Sequence, residues 1–166
     1  MSGCFLLFSD RFVCLQILQT DFRKTFLRDV IIRFGPAFFH EITGEAMRVH
    51  RKFRGGLLES AYEAALKYLL EQKGYKVERQ VFVPMYWDDV RLEQDYRLDL
   101  LVNGNIILEL KAIKHIDTPH RQQLWSYLHI THKPYGMLIN FSPEGLYSEW
   151  YHLDELTGEI DKIKLL

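Results

Sequence analysis

Two carboxylates and one lysine, Asp99, Glu109 and Lys111, stand at a spacing that metal-assisted chemistry could use. Side chains two residues apart on a strand lie on the same side, so Glu109 and Lys111 would share one face. If Asp99 lies opposite Glu109 on a neighbouring strand, two like charges meet, and such pairs destabilise a sheet. A divalent cation would remove the repulsion, because Mg²⁺ is bound by one or two carboxylates with waters and phosphate oxygens. A charged, solvent-facing side with Lys111 as an ion-pair partner is the alternative.

The elements that must position these groups are two runs of Leu, Ile and Val joined by a short loop. The loop, Asn103-Gly104-Asn105, is typical of a β-hairpin, with the glycine free to take a left-handed conformation. A three-residue loop pairs Val102 with Ile106 and places Asp99 opposite Glu109. A two-residue loop would send the two acids to opposite faces. The face without charge is predicted to be core and carries Leu98, Leu100, Val102, Ile106, Leu108 and Leu110.

Several motifs resemble those of a known nuclease superfamily. Asp99 followed by Glu109-Leu110-Lys111 resembles the D…ExK core of the PD-(D/E)XK superfamily. The run Gly56-Leu57-Leu58-Glu59-Ser60-Ala61-Tyr62 resembles the signature of its GxxExxY family. The resemblance covers about Glu41 to Phe141 and includes Val49-His50, Gln123-Leu124 with Tyr127-Leu128, and Ile139-Asn140-Phe141. An ExK motif alone has little value, but four motifs in this order indicate family membership.

The resemblance implies both a fold and an activity. The implied fold is α/β (α+β), a mixed central β-sheet flanked by helices with a restriction-endonuclease-like core. The implied reaction is metal-dependent hydrolysis of phosphodiester bonds, with Mg²⁺ or Mn²⁺ held by Asp99, Glu109 and the Leu110 carbonyl. Lys111 would position a water. The implied catalytic set is completed by Glu59, which would also face the metal, and Gln123.

The alternative is a catalytically inactive member that binds nucleic acid or a protein partner. Leu98 stands where the family usually has a proline before the aspartate, and Arg54-Gly55 departs from the usual proline-containing loop. The formal net charge of −1 also gives little general attraction to nucleic acid. None of these features removes a chemical group, so the nuclease is the preferred interpretation.

Any surface that binds phosphate must be local. Residues 1–55 contain nine Lys and Arg against five Asp and Glu, whereas the remainder has twelve against seventeen. Nucleic acid, with DNA preferred, is the expected partner, and the candidate contacts are Arg51, Lys52 and Arg54, which cluster with Arg48 beside the glycines. His120 is a further candidate because it lies near Gln123. A solvated helix face is the alternative for the basic cluster.

The chain is predicted to contain one domain, residues 39–166, after an amino-terminal extension, residues 1–38, of unknown role. The break falls near Gly35-Pro36. A docking helix around Cys14 to Ile32 is one interpretation of the extension, and an upstream segment outside the native start is the other. We expect a soluble cytoplasmic protein without membrane contact. The two cysteines show no ligand pattern, and the sequence has no run of about 18 apolar residues.

Periodicity predicts the elements on either side of the hairpin. Helices are predicted over Glu41–Phe53 and Leu57–Lys73, and the second has Leu58 and Tyr62 on its apolar stripe. Glu59 falls in its first turn, where an acidic residue also interacts favourably with the helix dipole. Further predictions are a strand over Tyr75–Val83, an exposed turn at Asp88-Asp89, a helix capped by Thr118 and running to about His129, a buried strand over Tyr135–Phe141 parallel to its neighbour, and a terminal hairpin over Leu146–Leu153 and Glu159–Leu165.

Overall fold

Alternating helical and extended periodicity in the sequence produces a mixed sheet with helices on both faces. The computed structural model describes residues 37–165, so the predicted helix around Cys14 to Ile32 lies outside the described residues. The division at residue 38 stays a prediction. The described elements are α1 (residues 37–53), α2 (Glu59–Gln72), β1 (Val77–Trp87), β2 (Val90–Val102), β3 (Ile106–Lys111), α3 (Thr118–Thr131), β4 (Tyr135–Ser142), β5 (Gly145–Leu153) and β6 (Ile160–Ile163).

The six strands lie side by side in chain order, from β1 to β6. All neighbouring pairs are antiparallel except β3 and β4, which are parallel. Helix α3 makes the crossover between these two strands, since parallel neighbours cannot be joined by a tight turn. The predicted α/β fold with a mixed sheet and one parallel pair is confirmed. Within the described chain, no helix has the length and apolar character needed to cross a membrane.

Helices α1 and α2 cover one face of the sheet, and α3 covers the other. The ring of Tyr62 in α2 stacks on Phe141 of β4, with ring centroids 4.3 Å apart. On the same strand, a side chain at Gly136 would meet Leu124 of α3 at 2.9 Å. Positions 136 and 141 point to opposite faces because strand side chains alternate. The groups that share a face with position 136 therefore lie under α3.

The central hairpin has the predicted register. Val102 pairs with Ile106 across the three-residue loop, and Leu100 pairs with Leu108. The face without charge is buried as predicted. The opposite face is also buried, because Ile107 packs under α3 and Glu109 is only 1% exposed. This burial contradicts a solvent-facing position for Glu109, whereas Asp99 is half-buried and the ion pair of Lys111 that the alternative expected is present.

Several boundaries differ from the sequence prediction. Helix α2 begins at Glu59 rather than Leu57, and Leu58 is 79% exposed instead of lying on the apolar stripe. Asp117, not Thr118, is the N-cap of α3. Strands β1 and β2 are longer than predicted, because pairing continues to Trp87 and Val90 around the Asp88-Asp89 turn. The exposed turn, the buried strand β4 and the terminal β5–β6 hairpin are confirmed.

Candidate active site

Asp99 lies where β2 and β3 stop pairing. Their ladder runs from Val102 and Ile106 to Leu100 and Leu108 and goes no further. Beyond that point, Asp99 Oδ2 accepts a hydrogen bond from the backbone N–H of Leu110 at 2.8 Å. The side chain thus satisfies a β3 donor that the diverging backbone of β2 no longer reaches. This contact holds the Asp99 carboxylate against β3 beside Glu109.

Glu109 is almost fully buried and only half satisfied. Its Oε1 accepts a hydrogen bond from Lys111 Nζ at 2.6 Å, which is also an ion pair. Its Oε2 is buried and has no hydrogen-bond partner among the described residues. Since a buried oxygen without a partner costs about 1–3 kcal/mol, and more when charged, this atom is a natural position for a cation to bind.

Burial and mutual repulsion oppose the charged form of both acids. Burial, followed by the charge of Asp99, raises the pKa of Glu109 to about 8. Burial also raises the pKa of Asp99 to about 6, although the bond from Leu110 and the charge of Lys111 act in the opposite direction. For Lys111, burial lowers the pKa, but the ion pair with Glu109 outweighs burial and the net pKa is raised. The lysine therefore stays protonated, but its single positive charge does not compensate for the burial and repulsion of the two acids.

Glu59 reaches the same strand end from the other side of the sheet. It is the first residue of α2, and its Oε1 accepts a hydrogen bond from the N–H of Ala112, just after β3, at 3.2 Å. Its negative charge contributes to the raised pKa values of Asp99 and Glu109. The structure therefore brings the predicted residues Glu59, Asp99, Glu109 and Lys111 into one electrostatic cluster.

The start of α2, and with it Glu59, is fixed by Tyr62. The Tyr62 hydroxyl donates to the Arg54 carbonyl at 2.7 Å and accepts from the N–H of Leu57 at 3.1 Å. Gly56 adopts a φ of 102°, a left-handed conformation that favours glycine. These contacts explain physically why a glycine, a glutamate and a tyrosine occur at this spacing.

Gln123 approaches the cluster through a tyrosine. Its Nε2 donates to the Tyr127 hydroxyl at 2.9 Å. Burial raises the pKa of Tyr127, the bond from Gln123 lowers it, and the charges of Glu109 and Asp99 raise it further. Tyr127 therefore lies within the field of the acids, whereas Gln123 makes no hydrogen bond to them in the described chain.

Comparison with known proteins identifies the family. The model of the PD-(D/E)XK nuclease superfamily matches residues 36–151, which is well over half of the chain. The chain belongs to that superfamily. A solved structure, described as the crystal structure of SSO0001, matches with a TM-score of 0.45 and 20% identity, covering 60% of this chain and 53% of that one. The chain thus spans about half the length of that protein. No curated protein matches.

Glu63 and Tyr127 were not assigned to the site from the sequence, although both lie in the electrostatic field of the acids. Glu63 is buried, pairs with Arg79 at 3.1 Å and accepts from Gln80 Nε2 at 2.8 Å. Its charge adds to the raised pKa of Asp99. Tyr127 was named only as one residue of the family resemblance. Spacing could have indicated both, because Glu63 follows Glu59, and Tyr127 follows Gln123, by four residues on a helix.

Asn140 holds the chain that follows Lys111. Its side-chain amide accepts from the N–H of Ile113 at 3.0 Å and donates to the Ile113 carbonyl at 2.9 Å. The β3–β4 ladder ends at the pair Lys111–Asn140. The two side-chain bonds to Ile113 extend the pairing beyond that end, as another backbone pair of the ladder would. The predicted Ile-Asn-Phe motif therefore has a structural role in keeping Lys111 in place.

The predicted nucleic-acid contacts lie on helix α1, the loop after it and the first turn of α3. Arg51 and Lys52 line a groove of about 570 Å³ between α1 and α2, and Arg54 is exposed in the following loop. His120 Nδ1 accepts from the N–H of Asp117 at 3.0 Å, so this nitrogen stabilises the first turn of α3. In residues 37–165, none of the four hydrogen-bonds with Asp99 or Glu109. Their role in binding stays a prediction.

The donor set fits a cation held by two carboxylates. Among the described residues, no three His, Cys, Asp or Glu side chains converge as a preformed metal cluster. Glu59 Oε1 accepts the hydrogen bond from Ala112, and the role of Glu59 as a third ligand stays a prediction. Asp99 and Glu109 still provide two hard oxygen donors, one of them a buried Oε2 without a partner. Mg²⁺ is usually bound by one or two carboxylates, with waters and phosphate oxygens completing its coordination.

Proposed function

We propose that this protein is a Mg²⁺- or Mn²⁺-dependent nuclease that hydrolyses phosphodiester bonds of nucleic acid, DNA in the first instance. The observation that carries the proposal is the buried, unpartnered Oε2 of Glu109 beside a second, half-buried acid, Asp99. A protein that needed only stability would gain by replacing such a pair with apolar side chains. The arrangement makes physical sense when a cation neutralises the two acids.

Asp99, Glu109 and the Leu110 carbonyl would hold the ion, and Glu59 would orient a water from the start of α2. When bound, the cation would polarise a phosphate oxygen and lower the pKa of a water. Lys111 remains positively charged beside Glu109. Its ammonium group would hold the attacking water and the phosphate by charge. Gln123 would orient the same water, with Tyr127 fixing its amide.

We further propose that the chain belongs to the GxxExxY family of the superfamily. The support is structural: Gly56, Glu59 and Tyr62 act as one unit, in which the tyrosine fixes the loop and the loop sets the first residue of α2. Gly55 completes the unit, because a Cβ there would lie 2.3 Å from Pro143 Cα. The unit brings a carboxylate to the end of β3.

A second candidate function is binding of nucleic acid without cleavage. The observation that favours it is the Lys111–Glu109 ion pair, which already satisfies one oxygen of the second acid. Leu98, which replaces the usual proline, is a further departure, although its side chain is buried as a core residue. In such a protein the acids would repel phosphate, and binding would not depend on a metal.

Calorimetry distinguishes the two functions. Mg²⁺ and Mn²⁺ are titrated into wild type, Asp99→Ala and the charge-matched control Asp89→Asn, which alters an exposed turn residue. The same proteins are tested for cleavage of plasmid and single-stranded DNA. A nuclease loses metal binding and cleavage together in Asp99→Ala and keeps both in the control. Nucleic-acid binding by wild type without metal uptake or cleavage would instead support the second function.

A further inference from the structure

A polar cleft opens beyond the carboxyl ends of the parallel strands β3 and β4. Its volume is about 410 Å³, within the range of small-ligand sites, roughly 300–1,000 Å³. Its polar lining includes Lys114, His115, Arg121, Asn140, Glu144 and Tyr147. Crevices at the carboxyl ends of parallel strands are common ligand sites in α/β proteins.

Strand register places this cleft next to the candidate active site. Lys111 of β3 pairs with Asn140 of β4, which pairs in turn with Tyr147 of β5. Paired residues point to the same face, and neighbouring strands lie about 4.8 Å apart. Tyr147 is therefore two strands, roughly 10 Å, from the strand that carries Lys111. The cleft therefore lies within about one nucleotide-to-nucleotide span, on the order of 10 Å, of the strand that carries Lys111 and Glu109.

The cleft carries excess positive charge. Glu149 is buried beside it and accepts hydrogen bonds from Arg121 Nε at 2.7 Å and Lys162 Nζ at 2.5 Å, so one carboxylate neutralises two cations only in part. Burial alone would raise the pKa of Glu149, but these bonds and two from tyrosines outweigh it and lower the pKa to about 2. Lys114 is exposed and makes no ion pair within the described residues. Glu144 is the one acid of the lining, and it offsets a single positive charge.

Tyr147 offers an aromatic surface in a fixed position. Its hydroxyl donates to Glu149 Oε1 at 2.6 Å, while the residue remains 42% exposed. An exposed ring held by its hydroxyl is a suitable platform for base stacking. Stacking of this kind contributes about 1–3 kcal/mol per base.

We propose that this cleft is a nucleotide subsite for single-stranded nucleic acid, in which Lys114 and Arg121 bind a phosphate and Tyr147 stacks on an unpaired base. The inference deepens the proposed nuclease function, because the subsite would hold the strand beside the scissile bond. It also specifies the substrate, since a base inside a duplex is already stacked on both neighbours and would have to leave the helix to stack on Tyr147.

The test measures binding of a fluorescently labelled 12-nucleotide oligothymidylate by anisotropy, using the full chain in chelator so that no cleavage occurs. Lys114→Gln should weaken binding several-fold and make the slope of log affinity against log salt shallower by about 0.7, the value for one phosphate on a single strand. Tyr147→Leu should weaken binding about tenfold without changing that slope. Tyr147→Phe, which keeps the ring, should stay within about threefold of wild type.

Matched controls are Lys76→Gln and Tyr86→Leu, which alter exposed residues of the same types. Lys76 precedes β1 at the opposite end of the sheet. The inference is overturned if Lys114→Gln and Tyr147→Leu bind like their controls while melting at the wild-type temperature. Equal losses on blunt duplex DNA would overturn the single-strand assignment. Failure of the nuclease proposal would look different: wild type would not cleave with Mg²⁺ or Mn²⁺, yet the cleft variants would still bind less tightly.

Discussion

Asp99→Asn should stabilise the metal-free protein at alkaline pH while abolishing its response to metal. Folding raises the pKa of Asp99 from 3.8 to about 6, so the folded state binds this proton more tightly than the unfolded state. Stability is then lost as pH rises through this interval, and the full cost is present above pH 6. Two pH units correspond to about 3 kcal/mol at 1.36 kcal/mol per unit, as an upper limit.

Asparagine keeps an oxygen that can accept the bond from the Leu110 N–H, so the geometry of the strand end should survive. It also removes a charge that raises the pKa of Glu109. We therefore expect a gain of about 1–3 kcal/mol in the free energy of unfolding at pH 8. At pH 3.5 the difference should nearly disappear.

Urea unfolding in chelator, repeated from pH 3.5 to pH 9, measures this effect. Wild type should lose stability as pH rises from about 4 to 8, and Asp99→Asn should show a flatter profile. Mg²⁺ at a hundredfold excess over its Kd should restore about 2.7 kcal/mol to wild type and almost nothing to the variant. Asp89→Asn, in the exposed turn, should behave like wild type throughout. An Asn variant that is less stable than wild type at pH 8 in chelator would refute the reasoning.

Three further predictions concern groups around the acids. Lys111→Gln should still bind Mg²⁺ in calorimetry, because Glu109 keeps both oxygens, but cleavage should fall at least 100-fold; undiminished cleavage would exclude a role for the ammonium group. Tyr62→Phe should cost about 1 kcal/mol in urea unfolding, because the Arg54 carbonyl loses its donor, and it should reduce cleavage more than metal affinity. Gly55→Ala should cost more than 1 kcal/mol, because its Cβ would lie 2.3 Å from backbone that follows β4; a melting temperature equal to wild type would contradict this.

Local patterns predicted the hairpin that presents the acids. Alternation left two registers, one for a two-residue and one for a three-residue loop, and the structure has the three-residue loop that pairs Val102 with Ile106. The apolar run over Tyr135–Phe141 likewise predicted a buried strand, and β4 is buried along its whole length. The sequence by itself thus predicted the fold class and the hairpin register from Val102–Ile106 to Leu100–Leu108, whereas Asp99 and Glu109 lie just beyond the end of that ladder.

Only the tertiary structure decided how these groups are satisfied. Burial of the charged face depends on α3 packing over Ile107, a contact between residues far apart in the chain. The contacts of Glu59 with Ala112 and of Glu149 with Arg121 join residues 53 and 28 positions apart. No local periodicity encodes such pairs, because they arise when separate elements meet over the sheet. For the same reason, the cleft beyond β3 and β4 could be found only in the folded chain.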